Sequence, residues 1–249
     1  YDLYKEADEK SVIKFMVTDT ANPGSIINCL AAVRENARII REIIPSEAWE
    51  QINNLYIAAK AEGQSVLTRR HRFNCLHRII VANQTITGLL GGTMLRGEGY
   101  AFLRLGRHLE RTDMTSRIID VRSASLLPDL SPEQSAFENI QWMGVLKSLT
   151  AYQMYRQEMR IRINRADVLE FLINNRQFPR SLQHGLMQIG KCLLELPNSD
   201  SISQQVEALS EELQKLDTHE LTQDRLHEVI DDIQLGVVKL HQAIDSQYF

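Results

Sequence analysis

The sequence has 249 residues, of which 43% are hydrophobic and 24% charged, and this composition excludes collagen-like, disordered and low-complexity chains. The net charge is −4, and acidic residues interleave with the arginines of the most basic stretch, residues 60–125, which argues against a nucleic-acid partner. Three scattered cysteines without a Cys-x-x-Cys pair argue against a disulfide or zinc scaffold and favour a reducing cytoplasm. The sequence contains no run of 18 apolar residues, so it predicts no membrane-spanning helix.

Apolar residues recur at helical spacing along nearly the whole chain, and no alternating run indicates a strand. The sequence therefore predicts an all-α multi-helix bundle. Asn22 is the predicted cap of the helix that contains Pro23 in its first turn, and Gly91-Gly92 are predicted to break a long helix. Such signals divide the chain into about ten helices, among them 22–44, 46–63, one that ends near 90, 93–127, 133–160, 165–175, 179–196, 199–216 and 218–247.

A repeat search aligns two segments of the chain without gaps. Residues 12–30, VIKFMVTDTANPGSIINCL, match residues 168–186, VLEFLINNRQFPRSLQHGL, with five identities in 19 positions and several further apolar pairs. We interpret the match as an internal duplication, with two unrelated amphipathic helix pairs as the alternative. The duplication predicts two matching helix–turn–helix units, with Pro23 and Pro179 each at the start of the second helix.

The duplication divides a single domain into two similar helical halves, about 1–90 and 93–249. Two predicted helices introduce the second copy, whereas no segment of this sequence does so for the first. We therefore expect a helix resembling residues 102–120 to precede Tyr1 in the native chain. Without that helix, residues 12–56 should expose an apolar surface, or a second chain should cover it.

Several kinds of catalytic and cofactor site lack the residues that they need. No His-Glu-x-x-His motif occurs, and Asp224-x-x-His227 is the only near relative of the Glu-x-x-His pairs of di-iron bundles. The glycines of residues 88–100 lack the spacing of a phosphate-binding loop and are typical of a helix break. The cysteines lie on apolar helical faces, where burial suppresses the reactive thiolate. We therefore expect no metal and no other cofactor.

Two rows of arginines each occupy a single helical face, at spacings of three and four residues. Planar guanidinium groups in a row suit a carboxylate or a phosphate ligand. Pairing with glutamates of the same or a neighbouring helix is the structural alternative. The rows are Arg34, Arg38 and Arg41 in one predicted helix, and Arg104, Arg107 and Arg111 in another.

Gly106 stands between the arginines of the second row. A glycine inside a helix costs about 1 kcal/mol relative to alanine, which predicts that another backbone passes close to this position. Such an approach would remove nearby side chains from water. We therefore expect Arg107 and Glu110 to be mostly buried and bonded across helices.

Several segments together resemble the bacterial alpha-E domain family, an all-helical and largely uncharacterised group. The resemblance covers most of residues 10–190 and rests on the co-occurrence of NPGSI (22–26), RENARIIRE (34–42), WEQINNLY (49–56), TMLRGEGYAFLRLGRHLERTDMTSRIIDVR (93–122) and VLEFLINNRQFPRSL (168–182). This family is associated with circularly permuted ATP-grasp proteins and with transglutaminase-like proteins. The resemblance thus implies a part in making or trimming an amide-linked product.

The resemblance implies an auxiliary or binding subunit that works with an ATP-grasp-type ligase. A transglutaminase-like protein and a second copy of the chain are further expected partners, whereas a nucleic acid and a membrane are not. The alternatives are an enzyme of amide-bond metabolism, with Glu98 or Glu110 as the acid–base group, and a structural scaffold. The family's polar positions fall on Arg34, Glu35, Asn36, Arg38, Arg96, Glu98, Arg107, Glu110, Arg111 and Arg180.

Overall fold

The computed structural model describes residues 8–63, 65–124, 132–159 and 162–249. These residues form eleven α-helices, one short 3₁₀ helix and no strand, which confirms the predicted all-α fold. Among them, no helix combines the length and the apolar character that a membrane crossing requires. The α-helices are α1 (Glu9–Val17), α2 (Ile26–Ile39), α3 (Ser46–Glu62), α4 (Arg69–Thr93), α5 (Glu98–Ala124), α6 (Pro132–Ser148), α7 (Tyr152–Met159), α8 (Arg165–Ile173), α9 (Leu182–Leu193), α10 (Asp200–Gln214) and α11 (Gln223–Tyr248).

Two of the predicted helix boundaries are wrong. Ser25, not Asn22, is the N-cap of α2, and the Asn22 side chain instead accepts a hydrogen bond from the Gly24 backbone in the preceding turn. The predicted break at Gly91-Gly92 does not occur, because α4 continues through both glycines to Thr93. A helix interior tolerates glycine at a cost of about 1 kcal/mol each, so glycine alone does not end a helix.

The predicted helix 133–160 is in fact two helices, α6 and α7. Thr150 lies between them with φ of 54°, a left-handed conformation that normally favours glycine. Its N–H donates to the Lys147 carbonyl at 3.0 Å, and the Ala151 N–H donates to the Leu146 carbonyl at 2.7 Å. This pair of bonds closes the carboxyl end of α6 and turns the chain into α7.

The two aligned segments have the same helix bounds at a constant offset of 156 residues. Helices α1 and α8 both have nine residues, and α2 and α9 both follow an N-cap serine, Ser25 and Ser181. Each of these serines accepts a hydrogen bond from the backbone N–H three residues on. Pro23 and Pro179 occupy matching places, two residues before the cap rather than within the second helix. The shared bounds agree with the repeat alignment, and duplication itself stays a prediction.

The chain divides into two compact units, Tyr1–Leu95 and Arg96–Phe249. In the first unit, α3 packs on both α2 and α4. In the second unit, α5 packs along both α9 and α11, and α10 packs on α9. The core of the second unit contains the fully buried side chains of Trp142 and Tyr155, together with many leucines and isoleucines. The helix α5 is therefore the element that holds the second unit together.

Candidate functional site

The helices α5 and α9 of the second unit come into close contact at Gly185. A Cβ atom on Gly185 would lie 2.1 Å from Oγ1 of Thr112 in α5. The same Thr112 hydroxyl donates a hydrogen bond to the His108 carbonyl, 2.8 Å away. The first turn of α9 therefore lies directly against the middle of α5, and a residue larger than glycine fits only if Thr112 or one of the two helices shifts.

Three arginines lie together beside this contact. Arg107 and Arg111 come from α5, and Arg180 precedes the N-cap of α9. The Arg111 guanidinium donates to the Pro179 carbonyl at 3.4 Å, and Thr115 donates to the Arg180 carbonyl at 3.0 Å, so α5 is bonded to the backbone that leads into α9. Burial lowers the pKa of Arg111, and the neighbouring charges of Arg180 and Arg107 lower it further.

No carboxylate in the described part of the chain forms an ion pair with any of these three arginines. Arg104, one turn earlier on α5, differs because it pairs with Glu195 at 3.0 Å. Cations that gather without a counter-charge repel one another, and partial burial strengthens that repulsion. A carboxylate or a phosphate group is the kind of ligand that could neutralise these charges.

His108 lies among these arginines and is only 9% exposed. Burial lowers the pKa of its imidazole to about 4, and the charges of Arg111, His184, Arg107 and Arg104 contribute to the decrease. The ring is thus neutral near pH 7, and its buried Nδ1 has no hydrogen-bond partner among the described residues. A buried polar atom without a partner costs about 1–3 kcal/mol, which a ligand could recover.

The amino end of α9 completes the site. His184 lies in the first turn of this helix, and its ring centroid is 6.4 Å from that of His108. The His184 Nδ1 lies 2.8 Å from the Arg176 carbonyl, and because a carbonyl only accepts, this nitrogen carries the proton. A helix amino end carries a partial positive charge, which adds to the attraction for an anion. We call Arg107, His108, Arg111, Arg180 and His184 the arginine–histidine cluster.

The predicted polar residues of the first unit have other partners. The Arg34 side chain donates to Asn53 at 2.7 Å, and its guanidinium lies over the rings of Trp49 and Tyr56. Arg38 pairs with Glu35 on the exposed surface of α2. Asn36 is exposed on the same helix. These contacts match the structural alternative of helix-face pairing better than a ligand site.

Two of the predicted residues lie around the start of α5. Arg96 precedes the helix, and its guanidinium lies 4.0 Å from the centroid of the Tyr100 ring. Glu98, one of the two candidate catalytic glutamates, is the first residue of α5 and is exposed. The structure does not bring Glu98 into the arginine–histidine cluster.

The reasoning from Gly106 is wrong. Gly106 is exposed, and a Cβ atom there would meet no other atom within 4 Å, so no backbone passes close to it. Glu110, the other candidate catalytic glutamate, is exposed rather than buried, and Arg107 is only partly buried. The glycine that lies against α5 is Gly185 of α9, which is far along the sequence, so spacing within α5 could not reveal it.

A second charged group lies between α5 and α11. The His227 Nδ1 is 2.7 Å from an Asp120 carboxylate oxygen, and its Nε2 is 3.8 Å from Asp231. Asp120 above all, and then Asp231, raises the pKa of His227. The three residues could supply ligand atoms to a metal ion. However, the two carboxylates face opposite ring nitrogens, an arrangement that suits a protonated imidazole better than one shared metal.

A family model described as a predicted alpha-helical domain with a conserved ER motif, named Alpha-E, matches residues 1–249. The chain belongs to the Alpha-E family. Glu110-Arg111 is the only place in the sequence where arginine directly follows glutamate. The motif named in the family description therefore falls on α5 of this Alpha-E chain, and its arginine belongs to the arginine–histidine cluster.

The chain is also similar to uncharacterised bacterial proteins. It is 22% identical over 202 residues to one of Mycobacterium bovis and to one of Mycobacterium tuberculosis, matches that cover 78% of this chain and 22% of each relative. A protein of a second M. tuberculosis strain is 21% identical with the same coverage. The chain thus spans about a fifth of the length of these curated relatives. No solved structure matches it significantly.

Proposed function

We propose that this Alpha-E chain is a binding subunit whose second unit holds the carboxylate of a peptide-like ligand. The observation that carries this proposal is the arginine–histidine cluster, in which, among the described residues, three arginines lack a carboxylate partner and a buried histidine nitrogen lacks a hydrogen-bond partner. A guanidinium can grip a carboxylate with two parallel hydrogen bonds. The neutral His108 and the amino end of α9 supply further polar contacts.

The resemblance to the alpha-E family suggests the source of such a ligand. An amide-linked peptide ends in a free carboxylate, so the product of an ATP-grasp-type ligase presents the anion that the cluster lacks. We propose that the subunit works beside such a ligase in the cytoplasm, with a transglutaminase-like protein as a further partner. The exposed Cys29 and the absence of a disulfide among the described residues suit a reducing compartment.

The binding role is favoured over catalysis because the described cluster contains three guanidinium groups and two imidazoles but no carboxylate. Glu98 and Glu110, which an acid–base mechanism would use, are both exposed. A general acid or base works best when burial and neighbouring groups tune it beside the reacting atoms.

The ligand proposal can be tested with two matched dipeptides, N-acetyl-Ala-Ala with a free carboxylate and the same peptide with an amidated end. We expect the free carboxylate to shift the amide NMR signals of residues 182–184, whereas the amide should not. Arg111→Gln should weaken binding about 10–100-fold, because a hydrogen bond to a charged group contributes about 1.5–3 kcal/mol. Arg225→Gln is the matched control, since Arg225 is exposed and pairs with Glu228 on α11.

Two results would contradict the proposal. Equal binding of the two dipeptides would show that the carboxylate is not recognised. If inorganic phosphate shifts the signals and neither dipeptide does, the cluster is an anion site but does not bind a peptide-like ligand. The ligase partnership is tested separately, by affinity purification of the tagged native protein from its host, where an ATP-grasp-type ligase should be recovered.

A further inference from the structure

The first unit exposes an apolar face whose counterpart in the second unit is covered by α5. Three successive helices of the two units correspond in order and in packing, with α3 against α2 and α4, and α10 against α9 and α11. In the second unit, α5 also packs along both α9 and α11. No described helix of the first unit takes that place on α2 and α4.

The contacts of α5 identify the corresponding positions on α2. Gly185 of α9 touches Thr112 of α5, and its counterpart at the offset of 156 residues is Cys29, which is exposed. Four residues further along α2, on the same face, Val33 is 48% exposed, whereas its counterpart Ile189 is fully buried. Val33 therefore exposes apolar surface on α2, whereas the corresponding position of α9 is covered.

The helix α4 can be aligned with α11 in the same way. An offset of 154 residues places its buried Cys75, Ile86 and Leu90 on the buried Val229, Leu240 and Ile244 of α11.

At the same offset, Phe73 of α4 corresponds to His227, whose ring contacts Asp120 of α5. Phe73 is 73% exposed, and Ile80, seven residues further along α4, is also exposed. Large apolar side chains that lie exposed on two helices packed against the same third helix, as α2 and α4 are against α3, are typical of an interaction surface.

We propose that this face, formed by Cys29 and Val33 of α2 and by Phe73 and Ile80 of α4, binds an amphipathic helix of a partner with the buried-face pattern of α5. That pattern places small or aliphatic side chains at helical spacing, as Ala101, Leu105, Leu109, Thr112 and Ile119 do. A peptide helix that lies in an apolar groove between two helices is a common mode of recognition.

The two differing positions define the chemistry of the partner helix. Cys29 is larger than Gly185, so the partner residue opposite it must be smaller than threonine. Phe73 is apolar where His227 is basic, so the partner residue opposite it should be aliphatic rather than acidic. The expected partner helix therefore has the buried-face pattern of α5, with alanine in place of Thr112 and leucine in place of Asp120.

The test uses synthetic peptides and the full chain. The adapted peptide carries residues 98–122 with Thr112→Ala and Asp120→Leu, and the unmodified peptide is its control. By fluorescence anisotropy, we expect the adapted peptide to bind one to one and at least tenfold more tightly than the unmodified peptide. Val33→Asp in the chain should weaken that binding at least tenfold, whereas Leu235→Asp, a change at an exposed position of α11, should not.

Three outcomes would overturn the proposal. The first is that the adapted peptide fails to bind. The second is that both aspartate variants weaken its binding equally. The third is that light scattering shows a dimer of the chain that Val33→Asp dissociates. The last result would mean that a second copy, rather than a partner helix, covers the face. None of these outcomes bears on the arginine–histidine cluster, which belongs to the second unit.

Discussion

Replacing Gly185 with alanine tests the packing that creates the candidate site. The new Cβ atom would lie 2.1 Å from Oγ1 of Thr112, so one of the two helices or the Thr112 rotamer must change. Overpacking of this kind costs about 1–3 kcal/mol, and turning the hydroxyl away from the His108 carbonyl gives up a hydrogen bond of about 1 kcal/mol. Alanine recovers about 1 kcal/mol through its higher helix propensity. We therefore expect a net destabilisation of about 1–3 kcal/mol.

The measurement is urea unfolding followed by the fluorescence of Trp142, which is fully buried in the second unit. Trp49→Phe serves as the background, so that Trp142 is the only tryptophan. Gly106→Ala is the matched control, because Gly106 lies in α5, one of the two contacting helices, and a Cβ atom there would have no other atom within 4 Å. That control should stabilise the unit by about 0.5–1 kcal/mol.

A third variant separates the clash from other effects of the substitution. Thr112→Ala removes the Oγ1 atom, and the nearest remaining Thr112 atom, Cβ, would lie 3.4 Å from the new methyl group. In the Thr112→Ala background, Gly185→Ala should therefore be nearly neutral or stabilising. If Gly185→Ala stabilises the chain as Gly106→Ala does, the close contact between α5 and α9 is wrong.

The titration of two histidines supplies the remaining predictions. The pKa of His108 is lowered to about 4, so the unfolded chain binds the additional proton first, and up to about 3 kcal/mol of stability should be lost as pH falls from 6.5 to 4. The difference in unfolding free energy between wild type and His108→Phe should change by that amount between pH 7 and pH 4, and a constant difference would contradict a buried neutral imidazole. The pKa of His227 is raised, so its NMR titration midpoint should lie above 6.5 and fall in Asp120→Asn, whereas an unchanged midpoint would refute the ion pair.

Local signals in the sequence predicted most of the helices but not how they contact one another. Helical periodicity gave the all-α fold, and the ungapped repeat predicted two segments whose helix bounds agree at one offset. The cap at Asn22 was misplaced because Asn22, Ser25 and the residues around Pro23 all suit a turn. Which of these side chains meets a free backbone N–H depends on where the first helix turn forms, and the sequence alone does not fix that position.

The site was predicted in part. Arg107, Arg111 and Arg180 were named from the resemblance, and the structure places them together. His108 and His184 were missed because they lie 76 residues apart, and neither has a local signal that distinguishes it from an ordinary helix residue. A close helix contact was predicted from a glycine, but it was assigned to Gly106 instead of Gly185. A sequence shows that a helix contains a glycine, but it does not show whether another helix packs against it.

In the described part of the chain no carboxylate pairs with Arg107, Arg111 or Arg180, so the proposed ligand site would couple folding of the second unit to the solution around it. A small anion that binds the gathered guanidinium groups finds no such group in the unfolded chain, so mass action favours the folded form. At a concentration one hundred times its dissociation constant, such an anion adds about 2.7 kcal/mol of stability. On the proposed function, the carboxylate ligand therefore takes part in the folding equilibrium of this unit, and the midpoint of its thermal unfolding becomes a measure of ligand occupancy.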